Sequence, residues 1–468
     1  MILAAGILLC FASGFLLARL GWSLKTPLLA CLILQCSLAT GFSLGIFSVA
    51  YFILCVAGVP NLLLVDFGVF LALLILYFFL RSRSTIVLAP ASVNNDAPPW
   101  LRHTLALSFV VAFAAALYSA ITHVLAYPHG DGWDAFSIWN LRARFLFRSG
   151  SHWRDAFSPL IPWSHPDYPL LIPASIAHFW TLMGHDDPRV PAAIAFVFTF
   201  ATAGLLFSAL SILRGRIYAM LGAITLLATP AFIEQGTAQY ADVPLSFFFL
   251  STIALLCLNE EIASATEKSG RLAALAGLAA AFSAWTKNEG LLFLAAILAS
   301  RIFLGAIHRK RNSDSRAANQ FWRSSAFFFA GALPVLLVLL YFKHSVAGPG
   351  DLFADSSTTI DKLLTPARYW AVLQWFVKDF FRFGRWLLIP GSLLLAGLYF
   401  AVRNDSQRAR SLAVRSSVLA VILTFTGYAA IYLITPRDLY WHLRFSSDRL
   451  FLQLWPSAIF LFFFVLRR

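Results

Sequence analysis

The sequence predicts an all-α fold, a polytopic transmembrane helix bundle with an interfacial helix in its first large external loop. Three observations carry this. Of the 468 residues, 59% are hydrophobic and only 12% are charged, against roughly 25% charged in soluble domains. Mean hydropathy is +0.75. The apolar runs are long and unbroken, as spanning helices of about 20 residues require, whereas a barrel shows short alternating segments. A soluble enzyme, a disordered scaffold and a secreted disulfide module are thereby excluded.

Taken in order, the runs give about 13 spans by the length criterion. Met1–Leu20 is apolar with no small-residue cleavage site, so it is expected as a retained helix rather than a removed signal. Pro27–Val56 is long for one helix, with Gly41 and Gly45 near its middle, and Asn61–Leu80 completes an N-terminal group, residues 1–100. Leu101–Ala126 opens a second unit, residues 101–468, and runs into the loop 127–189. Val190–Leu213, Ile217–Phe232, Val243–Leu258, Leu272–Trp285, Leu291–Ala306 and Ala326–Tyr341 follow, divided by short charged or polar loops. Trp386–Val402, Leu412–Ile434 and Leu450–Leu466 finish the set.

Lys and Arg number 36 against 22 Asp and Glu, a net charge of +14. On a soluble chain that excess would suggest nucleic acid. Here it sorts into alternate short loops, as topology signals do. Arg81/Arg83, Arg214/Arg216, His308–Arg311, Arg403–Arg410 and Arg467–Arg468 fall on one side, read as cytoplasmic. The basic stretch Arg301–Arg323 is read as part of the same signal. The opposite side receives 127–189, Glu234–Tyr240, Thr286–Gly290, His344–Arg385 and Pro436–Arg449. The N-terminus is then external and the C-terminus cytoplasmic. Cys10, Cys31, Cys36, Cys55 and Cys257 all lie in expected spans and read as small buried hydrophobes, not as disulfide partners or zinc ligands.

The unusual chemistry gathers on the external side. Gly130-Asp131-Gly132-Trp133-Asp134 places two carboxylates three apart directly after a span. If Asp131 opens a helix, both sit near its N-terminus on one face. Between Trp133 and Phe147, aromatic and aliphatic residues interleave with Arg142 and Arg144, with Arg148 next, a pattern suited to a helix lying in the interface. His165 and Asp167 sit in a Pro-bracketed turn, and Asp186-Asp187 reads as a turn and helix start. Asp242, Lys287, Glu289, His442, Arg444 and Arg449 lie close to span ends, where charge is costly and marks either a site or a paired interior contact. Asp242 also fits an N-cap, and His165 and His442 fit loop-packing roles equally well. No G-x-x-x-x-G-K-[ST], H-E-x-x-H or C-x-x-C pattern is present. Gly41-Phe-Ser-Leu-Gly45 matches the G-x-S-x-G elbow in letters only, since it falls inside an apolar span rather than a strand-to-helix turn.

Four stretches in order resemble the polytopic C-type glycosyltransferase superfamily, in particular bacterial proteins similar to protein O-mannosyltransferases and aminoarabinose transferases. They are residues 130–134, His165-Pro-Asp-Tyr-Pro169, Tyr240-Ala-Asp-Val-Pro244, and Gly277 through Trp285-Thr-Lys-Asn-Glu-Gly290. A weaker fifth match is 435–456, and together they cover the chain from about Leu101 onward. The departures are three apolar helices before the family-like core, no large soluble domain after it, and a D-x-x-D acidic motif rather than an adjacent or D-x-D pair. The resemblance implies transfer of a sugar from a polyprenyl-phosphate donor to a lipid, polysaccharide or protein acceptor at the outer face of a bacterial inner membrane. Asp131 or Asp134 would be the base, with Asp131 favoured. Lys287, Arg444 and Arg449 would meet the lipid phosphate, and His165, Asp167, Asp242, Glu289 and His442 would line the site. A divalent metal is left open. The competing reading is a transporter or flippase for a lipid-linked precursor, which usually shows repeats and polar groups near the midplane; a structural or assembly subunit is a third.

Overall fold

The computed structural model describes residues 2–20, 28–58, 61–80, 98–266, 270–311, 315–350, 358–386, 391, 395–397 and 405–466. The described residues form α1 (Ile2–Arg19), α2 (Leu28–Ala57), α3 (Leu62–Leu80), α4 (Pro99–Ala126), α5 (Asn140–Arg148), α6 (Leu171–Met183), α7 (Arg189–Arg214), α8 (Arg216–Leu227) and α9 (Pro230–Thr237). Then come α10 (Asp242–Thr266), α11 (Arg271–Thr286), α12 (Asn288–Arg311), α13 (Ser315–Ser345), α14 (Thr359–Leu363), α15 (Pro366–Arg382), α16 (Ser406–Ala409), α17 (Leu412–Ile434) and α18 (Leu439–Val465). Among them ten helices are long and apolar enough to cross a membrane, or eleven if α8 and α9, bent by 66° at their junction, make one span. The chain is an all-α, multi-pass membrane protein.

Three expected spans account for the difference from about 13. Ile217–Phe232 is broken by Thr229-Pro230, because a proline cannot continue the ladder and excludes its predecessor from the helical region. Leu272–Trp285 forms the short helix α11, buried from Leu272 to Thr286 along nearly its whole length. A helix wrapped in protein has no need to match the bilayer thickness. Most of Trp386–Val402, together with Arg81, Arg83, Arg403, Arg467 and Arg468, lies outside the described residues.

Successive long helices run in alternate directions, and their ends are tied at both faces of the bundle. At one end, Glu260 accepts from the backbone N–H groups of Leu412 (3.0 Å) and Ala413, satisfying orphan donors at the start of α17. Arg214 donates there to the Leu466 carbonyl, and Arg408 to Glu261 at 3.2 Å. Arg301, read from sequence as part of a basic loop, is instead buried within α12. It donates to Ser324 (3.1 Å) and Ser325 (3.0 Å) on α13.

The core is one continuous apolar cluster from Leu17 to Leu466, so α1–α3 pack into the same interior as the later helices. Trp285 on α11 donates to Ser48 on α2 at 3.0 Å, and Tyr51 on α2 reaches Thr181 on α6 at 3.0 Å. The tightest crossing is α11 on α13. A Cβ on Gly277 would stand 1.8 Å from the Phe328 carbonyl oxygen, and one on Gly331 would stand 1.9 Å from that of Ala274. Lipid tails are as apolar as the helices, so close backbone packing through small residues supplies the association energy.

Gly277→Ala is expected to cost about 1–3 kcal/mol or more through overpacking, seen as a lower melting temperature of the detergent-purified protein. Gly68 on α3 faces open space, so Gly68→Ala should leave that temperature unchanged or slightly raised.

Candidate functional site

At the other end of the bundle, around Asp242, a chain of ion pairs closes the mouth between the helices. Asp242 opens α10 and is fully buried. Pro244 sits in the first helical turn, where a missing N–H breaks no ladder bond. Asp242 Oδ1 accepts from Lys287 Nζ at 3.1 Å and from Gln453 Nε2 at 2.6 Å. Its Oδ2 accepts from Arg449 Nε at 2.9 Å and Nη2 at 2.6 Å. Arg449 Nη1 donates onward to Asp134 at 2.7 Å, and Lys287 pairs with Glu289 at 2.8 Å.

Each donor is delivered by a specific local feature. Arg449 and Gln453 are four apart on α18 and therefore share a face. That helix begins at Leu439, capped by Asp438, whose Oδ1 accepts from Trp441 N at 2.7 Å. The stretch expected as the loop Pro436–Arg449 is thus mostly helix, and His442, Arg444 and Arg449 project from it at fixed angles. Lys287 is a single extended residue between α11 and α12, a break that swings its side chain back toward Asp242. Burial opposes its charge, but the Asp242 and Glu289 carboxylates outweigh that and hold the Lys287 ammonium above the ordinary lysine range.

Tyr240 packs under Arg449, the guanidinium 4.6 Å from the ring centroid. Burial, reinforced by Asp134, pushes its phenol up to about 12, so it stays a neutral donor. Gly132 accounts for one invariably awkward position of the GDGWD segment: its φ is +82°, and a Cβ would meet the Tyr240 hydroxyl at 2.5 Å.

The two carboxylates of that segment part company. Asp131 lies in a bend ahead of the helix, rather than opening it as expected, because the helical turns begin at Trp133 with a π-turn over Ala135–Trp139. Its side chain is 48% exposed and meets His123 Nε2 at 3.3 Å, while His123 Nδ1 lies 3.0 Å from Thr237 Oγ1. Asp134 faces inward to Arg449. The expected interfacial helix forms as the π-turn and α5, with Trp133 and Phe136 exposed on its outer side. Its basic stripe is not all at the surface. Arg142 is buried against Trp139, donates to the Tyr168 carbonyl at 2.6 Å, and is brought down to about 10 by burial, so it keeps its charge at neutral pH. Arg144 and Arg148 bind Asp186 instead, and Asp187 holds Arg189 at the start of α7, the structural parts their turn suggested.

The His165–Pro169 turn lies beside the ion pairs. His165 adopts a left-handed conformation and stacks on Tyr168 at 4.7 Å. Asp167 accepts from Asn288 Nδ2 at 2.6 Å, and Lys343 bridges the Asp167 carbonyl and Asn288 Oδ1. His442 is bonded to Thr435 (2.9 Å) and set edge-on to Tyr432, within electrostatic reach of His165 and Lys287.

Arg444 lies on the far side of Arg449, in a cavity of about 260 Å³ between α9, the end of α15 and α18. Lys378, Arg382, Arg385, Arg444 and Arg449 line it. Arg385 also pairs with Glu234, and Asp379, pushed up by burial, accepts from Ser447. Asp379 and Asp448 also line it, and with five cations against these two carboxylates the space suits an anionic group. The mouth acids are matched to cations rather than to one another. Among the described residues, those that converge as metal donors are elsewhere: Cys10, Asp66 and His178.

Sequence reading missed Gln453, Asn288, Lys343, His123 and the cations of α15. Gln453, an amide inside an apolar run, and His123, an imidazole in the last turn of α4, carried a readable signal, since polar groups at such depth mark a contact.

Arg449→Ala strips two carboxylates of their partner and should lower stability by about 3–5 kcal/mol, as removal of one member of a buried pair does. Adding Asp242→Asn should recover part of that loss, which a double-mutant cycle of thermal unfolding in detergent would show.

No family model, curated protein or solved structure matches this chain.

Proposed function

We propose that the chain is a membrane glycosyltransferase. It moves a sugar from a polyprenyl-phosphate-linked donor to an acceptor in the cell envelope, at the external face of a bacterial inner membrane. The observation that carries this reading is the pairing, at one mouth, of a solvent-reachable carboxylate with a cation-lined cavity: Asp131 on one side, and Arg449, Arg444, Lys378, Arg382 and Arg385 on the other. The basic clusters Arg214/Arg216 and Arg408/Arg410 lie at the opposite end, which the positive-inside rule makes cytoplasmic. In this reading the N-terminus is outside.

In the proposed reaction the acceptor hydroxyl attacks the anomeric carbon. A new C–O bond forms there as the C–O bond to the lipid phosphate breaks. Asp131 takes the hydroxyl proton. It is suited to this because, among the described residues, its polar side-chain partner is His123, so lone pairs remain for a substrate. Asp134 is the positioning residue: its carboxylate is engaged by Arg449, and it holds that guanidinium where the phosphate's negative charge grows. Lys287, locked between Asp242 and Glu289, keeps Asp242 ionised and Arg449 in place.

One observation favours transport as a second reading. The break between α8 and α9, with Ala231 and Gln235 lining the cavity, has the form of a discontinuous helix at a substrate path.

In a deletion strain restored with variants, Asp131→Asn should abolish the sugar-bearing envelope species while the protein accumulates normally, a loss of roughly 100-fold or more if it is the base. Asp134→Asn should lower activity and loosen the mouth together. Mass spectrometry of envelope lipids and glycans reads the outcome, and the mass added by wild type identifies the sugar class. Full restoration by both Asp variants would remove the proposed base and make the transporter reading the better one.

A further inference from the structure

Three side chains far apart in sequence meet inside the bundle, away from the ion pairs of the mouth. Cys10 comes from α1, Asp66 from the second turn of α3 and His178 from α6. All three are buried, and one donor atom from each lies within 4.8 Å of the others. His178 Nε2 stands 3.0 Å from both Asp66 oxygens. Its other ring nitrogen, Nδ1, has no hydrogen-bond partner among the described residues. Phe47 and Tyr51 pack on the imidazole, with centroids 5.5 and 6.2 Å away, and fix its plane.

We propose that Cys10, Asp66 and His178 form a binding site for a divalent transition-metal ion, best matched by Zn²⁺. The donor set points there: a thiolate, an imidazole and a carboxylate are the ligands zinc takes in proteins. Bond lengths of about 2.0–2.3 Å put tetrahedral donor atoms about 3.3–3.8 Å apart. Metal binding at this site therefore requires the donor atoms, now within 4.8 Å of one another, to draw closer together. Charge points the same way. In an apolar interior the Asp66 carboxylate already needs His178 as its partner, and a dication with one thiolate, one carboxylate and a neutral imidazole sums to zero. Binding releases the thiol proton, and the three protein ligands leave a fourth position for water or another small donor.

The assignment is independent of the glycosyl-transfer reading. An ion here would pin α1, α3 and α6 to one another, and α6 in turn packs against α5, next to the GDGWD segment.

The full-length protein, purified in detergent without chelator, should carry about one zinc ion per chain by mass spectrometry of the metal. Cys10→Ser, Asp66→Asn and His178→Gln should each lower that at least tenfold, as loss of a ligand or its close support does. A chelator-stripped wild-type sample given Co²⁺ should develop a thiolate-to-cobalt charge-transfer band, absent in Cys10→Ser. The site is refuted if wild type carries no stoichiometric metal and shows no cobalt band, or if Cys10→Ser keeps both. The two wild-type measurements decide the matter even if a variant fails to fold.

Discussion

A single buried carboxylate organises the mouth of this protein. Asp242 sits at the first residue of a helix that is buried along its length, where an unpaired negative charge would cost several kcal/mol. It is tolerated because three donors from two other parts of the chain converge on it: Lys287, Arg449 and Gln453. Each of those would in turn lose a buried partner without Asp242. The requirement propagates outward. Arg449 needs a second acceptor and finds Asp134; Lys287 finds Glu289; the Gln453 oxygen accepts from Tyr428 at 2.6 Å. These bonds tie α10, α12, α17, α18 and the GDGWD segment to one another.

That mutual need explains which features were legible in the sequence. Spans were legible because unbroken apolar runs have one cheap solution in a bilayer, and ten of the expected runs stand as long apolar helices. Two causes account for the failures. Ile217–Phe232 contains the Thr229-Pro230 break, which a hydropathy sum does not register, whereas Leu272–Trp285 and the first turns of α18 depend on protein neighbours rather than lipid, and hydropathy cannot distinguish the two surroundings. α11 is short because protein encloses it. α18 continues past the apolar run because its polar turns, from Asp438 to Arg449, are anchored by ion pairs and a cap.

The site was legible as a list of residues but not as a set of contacts. Asp134, Asp242, Lys287, Glu289 and Arg449 were each marked by charge near a span end, and the fold joins all five. Nothing in the one-dimensional spacing separated Asp131 from Asp134. Their separation follows from the positive φ at Gly132, which turns the chain between them so that one carboxylate faces water and the other faces Arg449. Conversely, His442 and Asp167 looked like site residues for the same reason as the others, yet their bonds run to Thr435 and Asn288. The metal-donor cluster was invisible for a further reason: its members lie at positions 10, 66 and 178, and no local pattern connects three helices.

The division of labour between the two aspartates also constrains what the mouth can do. A carboxylate already bonded to a guanidinium has its best lone pairs occupied and is a poor proton acceptor, but it holds the cation rigidly. A carboxylate beside an imidazole keeps a free oxygen, and His123, backed by Thr237, can pass a proton away from it. Chemistry that abstracts a proton at one point and gathers negative charge at another needs both arrangements side by side. A passive conduit for an anionic lipid needs only the cations. The exposed, weakly tethered Asp131 is therefore the group on which the catalytic proposal rests, and its substitution separates that proposal from a conduit.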